Sequence, residues 1–476
     1  MEIRFSNPFK NLANNFKDVS HLVAEKINDT LASIFCNGKL TDIAKKTNFV
    51  QRSSSKLNGN EFIQAMVMAS IDPESTPLSG INDNLRIISA KAKMTISGLR
   101  QRINSAEAQE FLKQVYQSTL ESHLKPLSNE LNAIFGESKG ALEYFKKVLL
   151  HDSSSCALNE LLEKQFKGSG GAASKSMVKI DLIYDLKANS AEEVIFTDIR
   201  EPDQGLCKRI LKHTTKDVLH IQDMGYFDID SFKAIDSLGG YYLSKIPGNT
   251  LVYLNKGDAQ PVEFGKHLRK LSQKGKILDI EVYVTQKKIR TRLVAYPVPD
   301  EVFNERLREY YKKNKKTPSE EWISRQRFTI LITNVPKEIW PWDIVGTVYK
   351  IRWQIELIFK VWKSQLSIHY LKGTKAERIW CLLYSRMIAV TLIFTIYNGI
   401  ANLISLENEL SLPKFVNWLK RNGRFSIIIL KGFGSDLWNQ LIDGLESLCK
   451  DCQRMRKTTL QMIEDKVSFT ETFRKT

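Results

Sequence analysis

Four residues in the stretch Val348–Leu366 have the types and spacing to do chemistry together: Tyr349, Arg352, Glu356 and Lys363. At about 100° per residue, offsets of 0, 3, 7 and 14 project all four onto one narrow arc of an α-helix. Trp353 and Lys360 fall at the edges of that arc, and Ile351, Ile355, Ile358 and Trp362 supply an apolar stripe on the opposite side. One face thus carries a carboxylate, several cations, a phenol and an indole, which suits a metal ion lying beside a DNA backbone. Arg352–Glu356 and Glu356–Lys360 are also i,i+4 pairs, the ordinary decoration of a solvated helix, so the stretch decides nothing alone.

Two acids upstream change its meaning. The apolar run Val148–Asp152 and the alternating run Val218–Asp223 both read as strands that end in an aspartate. The C-terminal ends of strands are where open α/β sheets carry ligands. Glu356 follows the last predicted strand, Phe328–Val335. Three carboxylates from separate elements make a hard oxygen site for Mg²⁺ or Mn²⁺. Two such ions about 3.5–4 Å apart can activate a water and stabilise the leaving oxygen of an in-line phosphodiester displacement. Taken singly, Asp152 also reads as a turn acid before Ser153–Ser155, and Asp223 as the approach to a helix. Asp228 reads as a helix N-cap rather than a ligand.

The elements that must hold these residues give an α/β chain. Residues 1–140 read as helical, with segments at Asn60–Asp72, Ile81–Ile88 and Ala92–Ile103, the last expected to expose Arg100 and Arg102. These short helices fit a helix-turn-helix-like DNA reader and equally a plain helical bundle. From 141 to 247 the pattern is strands at Val178–Leu186, Glu193–Ile199, Val218–Asp223 and Tyr241–Ile246, with helices near Gly205–His213 and Ile229–Leu238. Residues 248–327 break that rhythm and read as an inserted, largely β subdomain. The core resumes over 328–374, and 375–476 reads as helical. A polar loop at Lys167–Ser176 puts Lys175 and Lys179 at what reads as a solvated strand edge. The apolar run Ile379–Ile400 is interrupted by Ser385 and Arg386, which marks a buried core helix over a membrane span.

The chain has 476 residues, of which 42% are hydrophobic, enough for a large core and two to four domains. Its net charge of +17 points to a polyanionic partner, nucleic acid first, with a merely basic soluble protein or a membrane-surface binder as the bland alternatives. Six scattered cysteines fit a reduced, intracellular chain, and Cys449–Cys452 is a lone CxxC read as incidental helix positions. No signal peptide is expected at the opening residues.

The blocks His151–Ser155, Gln222–Asp228 and Tyr349-x2-Arg352-x3-Glu356-x6-Lys363, with Thr333–Asn334 after the final strand, resemble the catalytic blocks of DDE transposases of the insertion-sequence-four family. The resemblance covers about residues 90–470. It implies an α/β, ribonuclease-H-like catalytic core with a β-rich insertion, flanked by helical N- and C-terminal regions. Asp152, Asp223 and Glu356 would be the catalytic, metal-binding triad, holding two Mg²⁺ or Mn²⁺ ions. Tyr349, Arg352 and Lys363 would contact the terminal phosphate of the transposon end, and Trp353 and Lys360 would face DNA. Trp322 and Trp340 are candidates for an insertion aromatic that stacks on a flipped base.

The implied activity is cut-and-paste transposition. The N-terminal helices would bind double-stranded terminal inverted repeats, and the ends would be nicked, closed as hairpins and transferred to target DNA. The implied partners are a second copy of the chain, paired through the C-terminal helices, and DNA rather than a membrane. The implied location is the bacterial cytoplasm, at the nucleoid through the bound DNA. A ribonuclease-H-like nuclease without strand transfer, and a catalytically silent DNA-binding regulator, are the rival readings.

Overall fold

A computed structural model describes residues 9–52, 57–71, 77–89, 94–128, 130, 140–169, 174–272, 277–403 and 410–432. The N-terminal region is helical: Phe9–Ile34, Asn37–Lys46, Gly59–Ser70, Leu78–Ile88, Ile96–Ile103 and Ala106–Thr119. Local chemistry sets several starts. Asn58 and Glu61 form a reciprocal capping box at the third helix, and Thr95 and Ser105 cap the fifth and sixth. Gly59 admits a close crossing, because a Cβ there would meet the Phe111 ring at 3.0 Å and the Leu40 carbonyl at 3.1 Å. Arg102, expected to be exposed beside Arg100, instead donates to the Phe49 carbonyl and lies over the Phe49 ring. Its polar head satisfies an otherwise bare carbonyl, and only Arg100 stays on the surface.

Nine strands form one sheet: β1 Lys147–Ala157, β2 Met177–Asp185, β3 Ser190–Asp198, β4 Val218–Gln222, β5 Tyr241–Lys245, β6 Val252–Tyr253, β7 Leu278–Val284, β8 Ile289–Pro297 and β9 Phe328–Thr333. Their order is β3-β2-β1-β4-β5-β9-β8-β7-β6. β1, β4 and β5 run parallel, and every other neighbouring pair is antiparallel. The largely β stretch expected over 248–327 carries helices Phe264–Ser272, Asp300–Asn314 and Glu320–Gln326 beside its strands. Those strands extend the same sheet through β9. Arg292 fastens this half: its guanidinium pairs with Asp279 at 2.9 Å and donates to the carbonyls of Val335 and Trp340.

Alternation along the strands separates two cores. Val148, Leu150, Leu219, Ile221 and Leu243 face one hydrophobic cluster, which runs continuously from Val23 to Ile429. Leu149, Ile183, Val218, Phe232 and Tyr242 face the other. The Ala376–Leu403 helix lies inside the first cluster, packed on the Gly59–Ser70 and Ala106–Thr119 helices. It is the one described helix long and apolar enough to cross a membrane, and most of its apolar window is buried in the protein. Arg386 within it donates to the Tyr370 carbonyl, and burial draws its guanidinium down to about 10. Two short helices, Leu412–Lys420 and Arg424–Lys431, complete the described chain. Cys449 and Cys452, and nearly all of the expected C-terminal pairing region beyond Lys431, lie outside the described residues.

Candidate active site

The β1–β4 ladder puts two acids at one level. Its last rung pairs His151 with Gln222, so Asp152 and Asp223 are the next residue of each strand. With strands about 4.8 Å apart, the two carboxylates start side by side. They share a face with Leu150 and Ile221, the face covered by the Trp353–Ser364 helix that carries Glu356. Asp152 departs from expectation in one respect. β1 does not end there but continues to Ala157, because Ser153–Ala157 keep pairing with Asp181–Met177 of β2 after β4 has stopped. The acid therefore stands on a supported strand and not at a loose end.

The helix expected over the whole Tyr349–Lys363 stretch is broken. One α-helix spans Trp342–Tyr349, a 3₁₀ turn spans Lys350–Arg352, and the second α-helix begins at Trp353. The tighter turn changes the angular spacing, yet Tyr349, Arg352 and Glu356 still converge on the aspartates. The Tyr349 hydroxyl donates to Asp223 Oδ1 at 3.2 Å. Arg352 lies 3.8 Å from Asp152 Oδ2 and 3.8 Å from Asp223 Oδ1, and it bonds Glu356 Oε1. One guanidinium is thus shared by three carboxylates from three segments. Lys363 lies two turns, about 10 Å, beyond Glu356 along the helix. It is half-buried and close enough to Cys156 of β1 to lower that thiol's pKa, which burial raises overall. Trp353 and Lys360 point outward, Trp353 being 55% exposed.

Burial raises the Asp152 carboxyl to about 6; the Ser153 amide and Arg352 pull it down, while Asp223 and Glu356 push it further up. Burial and the Asp223 charge hold the Tyr349 phenol above its ordinary range, so it acts as a donor. Three carboxylates with no thiolate among them suit a hard divalent cation. Among the described residues no three acids already stand as a metal cage. Arg352 occupies the space between them, as a cation that a metal would have to displace.

Behind the acids, the opposite face is buried and polar. His151 Nε2 lies 3.1 Å from both oxygens of Asp181, and the Tyr226 hydroxyl donates to Asp181 Oδ1 at 2.8 Å. Gln222 Nε2 lies 3.4 Å from His151 Nδ1, an arrangement in which Nε2–H faces Asp181 and Nδ1 accepts. Sequence reasoning missed this network, although a signal was present: each acid follows a polar residue, His151 or Gln222, that alternation must turn inward. Lys179, expected at a solvated edge, is buried and donates to Asp203, which also accepts from the Ser153 hydroxyl. Lys175 is exposed and pairs with Glu160. Of the two candidate stacking aromatics, Trp340 is fully buried with its Nε1–H donating to the Ala141 carbonyl, which removes it. Trp322 is half-buried against Tyr310, ring centroids 4.4 Å apart. Asn334 fixes the end of β9 by accepting from the Tyr242 amide and donating to Asp236 and the Gly240 carbonyl.

Residues 143–392 match the family model described as the transposase DDE domain. The chain is 29% identical over 429 residues to the transposase for insertion sequence element IS1151 of Clostridium perfringens, covering 85% of this chain and 88% of that one. It is 28% identical over 394 residues to the transposase for insertion sequence element IS231B of Bacillus thuringiensis subsp. berliner, covering 79% and 80%. Among solved structures, a piggyBac transposase synaptic complex with hairpin DNA is similar over 88% of this chain and 84% of that one, at 10% identity and a TM-score of 0.44. That last likeness is too slight to bear on function.

Proposed function

The chain belongs to the DDE transposase family and is a DNA transposase, and from that premise we propose that it is a cut-and-paste enzyme whose chemistry is carried by Asp152, Asp223 and Glu356. The observation that carries this reading is the convergence of these three carboxylates, from β1, the end of β4 and the helix after β9, on the single guanidinium of Arg352. The β3-β2-β1-β4-β5 half of the sheet, an antiparallel meander followed by two parallel strands, supports a ribonuclease-H-like core.

The triad would hold Mg²⁺ or Mn²⁺, two ions in our reading, which when bound supply an activated water and charge stabilisation at the phosphodiester. This chain's own residues do the positioning. Tyr349 orients Asp223. Arg352, released from the carboxylates, offers a planar fork to a terminal phosphate. Lys363 adds a point charge further along the helix. Trp353 and Lys360, on the outward side, are placed to meet DNA. Residues 1–140 would bind the terminal inverted repeats, and hairpin formation and 3′-end transfer to target DNA would use the same carboxylates. Two copies of the chain, paired through the C-terminal helices, would hold the two ends, and the reaction would run in the bacterial cytoplasm.

The test is Mg²⁺-dependent cleavage of a duplex carrying the terminal repeat that flanks the gene, by the native chain and by Glu356→Gln. Hairpin-ended product from the native chain alone is expected. Binding without cleavage by both would leave a DNA-binding protein with no catalysis.

A further inference from the structure

The carboxylate row does not end at Asp223. β4 and β5 are parallel, and their last rung pairs Gln222 with Ser244, so Lys245 stands beside Asp223 just as Asp223 stands beside Asp152. Alternation agrees: Leu243 faces the same core as Ile221 and Leu150, so Lys245, two residues on, shares the face of the acids. Three adjacent parallel strands thus present acid, acid, cation at one level, about 4.8 Å apart.

Lys245 is half-buried, and among the described residues its ammonium has no hydrogen-bond or ion-pair partner. The charges around it are Asp223, Arg352 and Arg306. Arg306 is committed elsewhere: its guanidinium donates to the carbonyls of Gln326 and Phe328 and to the Thr329 hydroxyl. Arg352 is taken by the carboxylates. Burial together with Arg306 lowers the Lys245 pKa, and Asp223 opposes the change. A half-buried cation that no carboxylate among the described residues meets in an ion pair is costly unless it has an anionic ligand.

We propose that Lys245 holds a phosphate of the cleaved strand next to the scissile one, fixing which phosphodiester lies over Asp152 and Asp223. It is a positioning residue, and the assignment rests on the transposase reading of the site. A lysine suits the task, since a compact ammonium on a flexible stem binds a phosphate as a point charge.

The test uses the full chain and end duplexes with a neutral methylphosphonate at each phosphate flanking the cut, one at a time. Lys245→Ala and Lys245→Arg are compared with the native chain, all three first checked for matching thermal midpoints. Lys245→Ala is expected to weaken end binding several-fold and to reduce the salt dependence by about one phosphate. One methylphosphonate position should weaken the native chain by the same factor and cost Lys245→Ala nothing further. Lys245→Arg should restore most of the binding. If Lys245→Ala keeps the native salt slope, or responds to every methylphosphonate as the native chain does, Lys245 holds no phosphate. That failure is distinct from failure of the function, which is read from Mg²⁺-dependent cleavage by the native chain.

Discussion

Asp152 and Asp223 stand one residue beyond the same rung, His151 opposite Gln222, so their spacing is set by the ladder of the sheet. Geometry of that kind survives a change of one side-chain atom. Asp152→Asn and Asp223→Asn should each retain fold and end binding. Each should lower the cleavage rate by about a thousandfold or more, as expected when several kcal/mol of charge stabilisation is removed. Thermal melting and gel-shift binding beside single-turnover cleavage would check this, and a variant that cleaves at near the native rate would remove that acid from the site.

Arg352 holds the same three carboxylates that a divalent cation would need. Three partly screened contacts together amount to roughly 1–2 kcal/mol. Arg352→Gln should therefore bind Mn²⁺ about tenfold more tightly than the native chain when DNA is absent, while cleaving ends more slowly. Electron paramagnetic resonance of free Mn²⁺ in a titration reads the affinity directly, and equal affinities would mean that the guanidinium does not hold the site.

Not all of the candidate aromatics are equivalent. Trp340→Ala should lower stability by about 3–5 kcal/mol, the cost of emptying a fully buried indole site. Trp353→Ala should leave the melting midpoint in place and weaken end binding by about 1–3 kcal/mol through lost stacking. Denaturant melts paired with fluorescence anisotropy separate the two. A stability loss at Trp353 with unchanged binding would make it a packing residue.

His220 gives the fold a pH dependence of known direction. It is fully buried on β4, its Nε2 lies 2.9 Å from the Thr214 hydroxyl, and its Nδ1 has no partner among the described residues. The Thr214 hydroxyl itself donates to the Ile210 carbonyl, so Nε2–H is the donor to it. Burial, with His151 and His213 near, depresses its pKa to about 3. Between its ordinary value and about 3 the unfolded chain binds a proton that the native chain refuses, so stability falls as pH falls through that window. The slope is about 1.4 kcal/mol per pH unit. His220→Gln should lack this slope, so the native-minus-variant difference in unfolding free energy should fall by about 1.4 kcal/mol per pH unit between pH 6 and 4 in urea titrations. Parallel curves for the two proteins would contradict it.

Much of this site is legible in residue order, and the reasons differ by element. β4, β5 and β9 are short apolar runs bounded by turns, so Asp223 and the helix of Glu356 fall where the pattern puts them. The length of β1 is not legible, since Ser153–Ser155 read as loop and only pairing with β2 makes them strand. The 3₁₀ turn at Lys350–Arg352 carries no glycine or proline to announce it. Trp340 and Lys179 look like surface groups because their partners, the Ala141 carbonyl and Asp203, are distant in the chain. Lys245 belongs to no motif and acquires meaning only from the register of β4 against β5.

The hydrophobic cluster that runs from Val23 through Leu150 and Ile355 to Ile429 leaves no slack between the N-terminal helices and the carboxylate face. If the repeat is read on those helices, as proposed, the protein would work as a gauge block. Packed side chains would then set the span from the recognised bases to the cut, and a repeat shifted by one base pair would bring the wrong bond to Asp152.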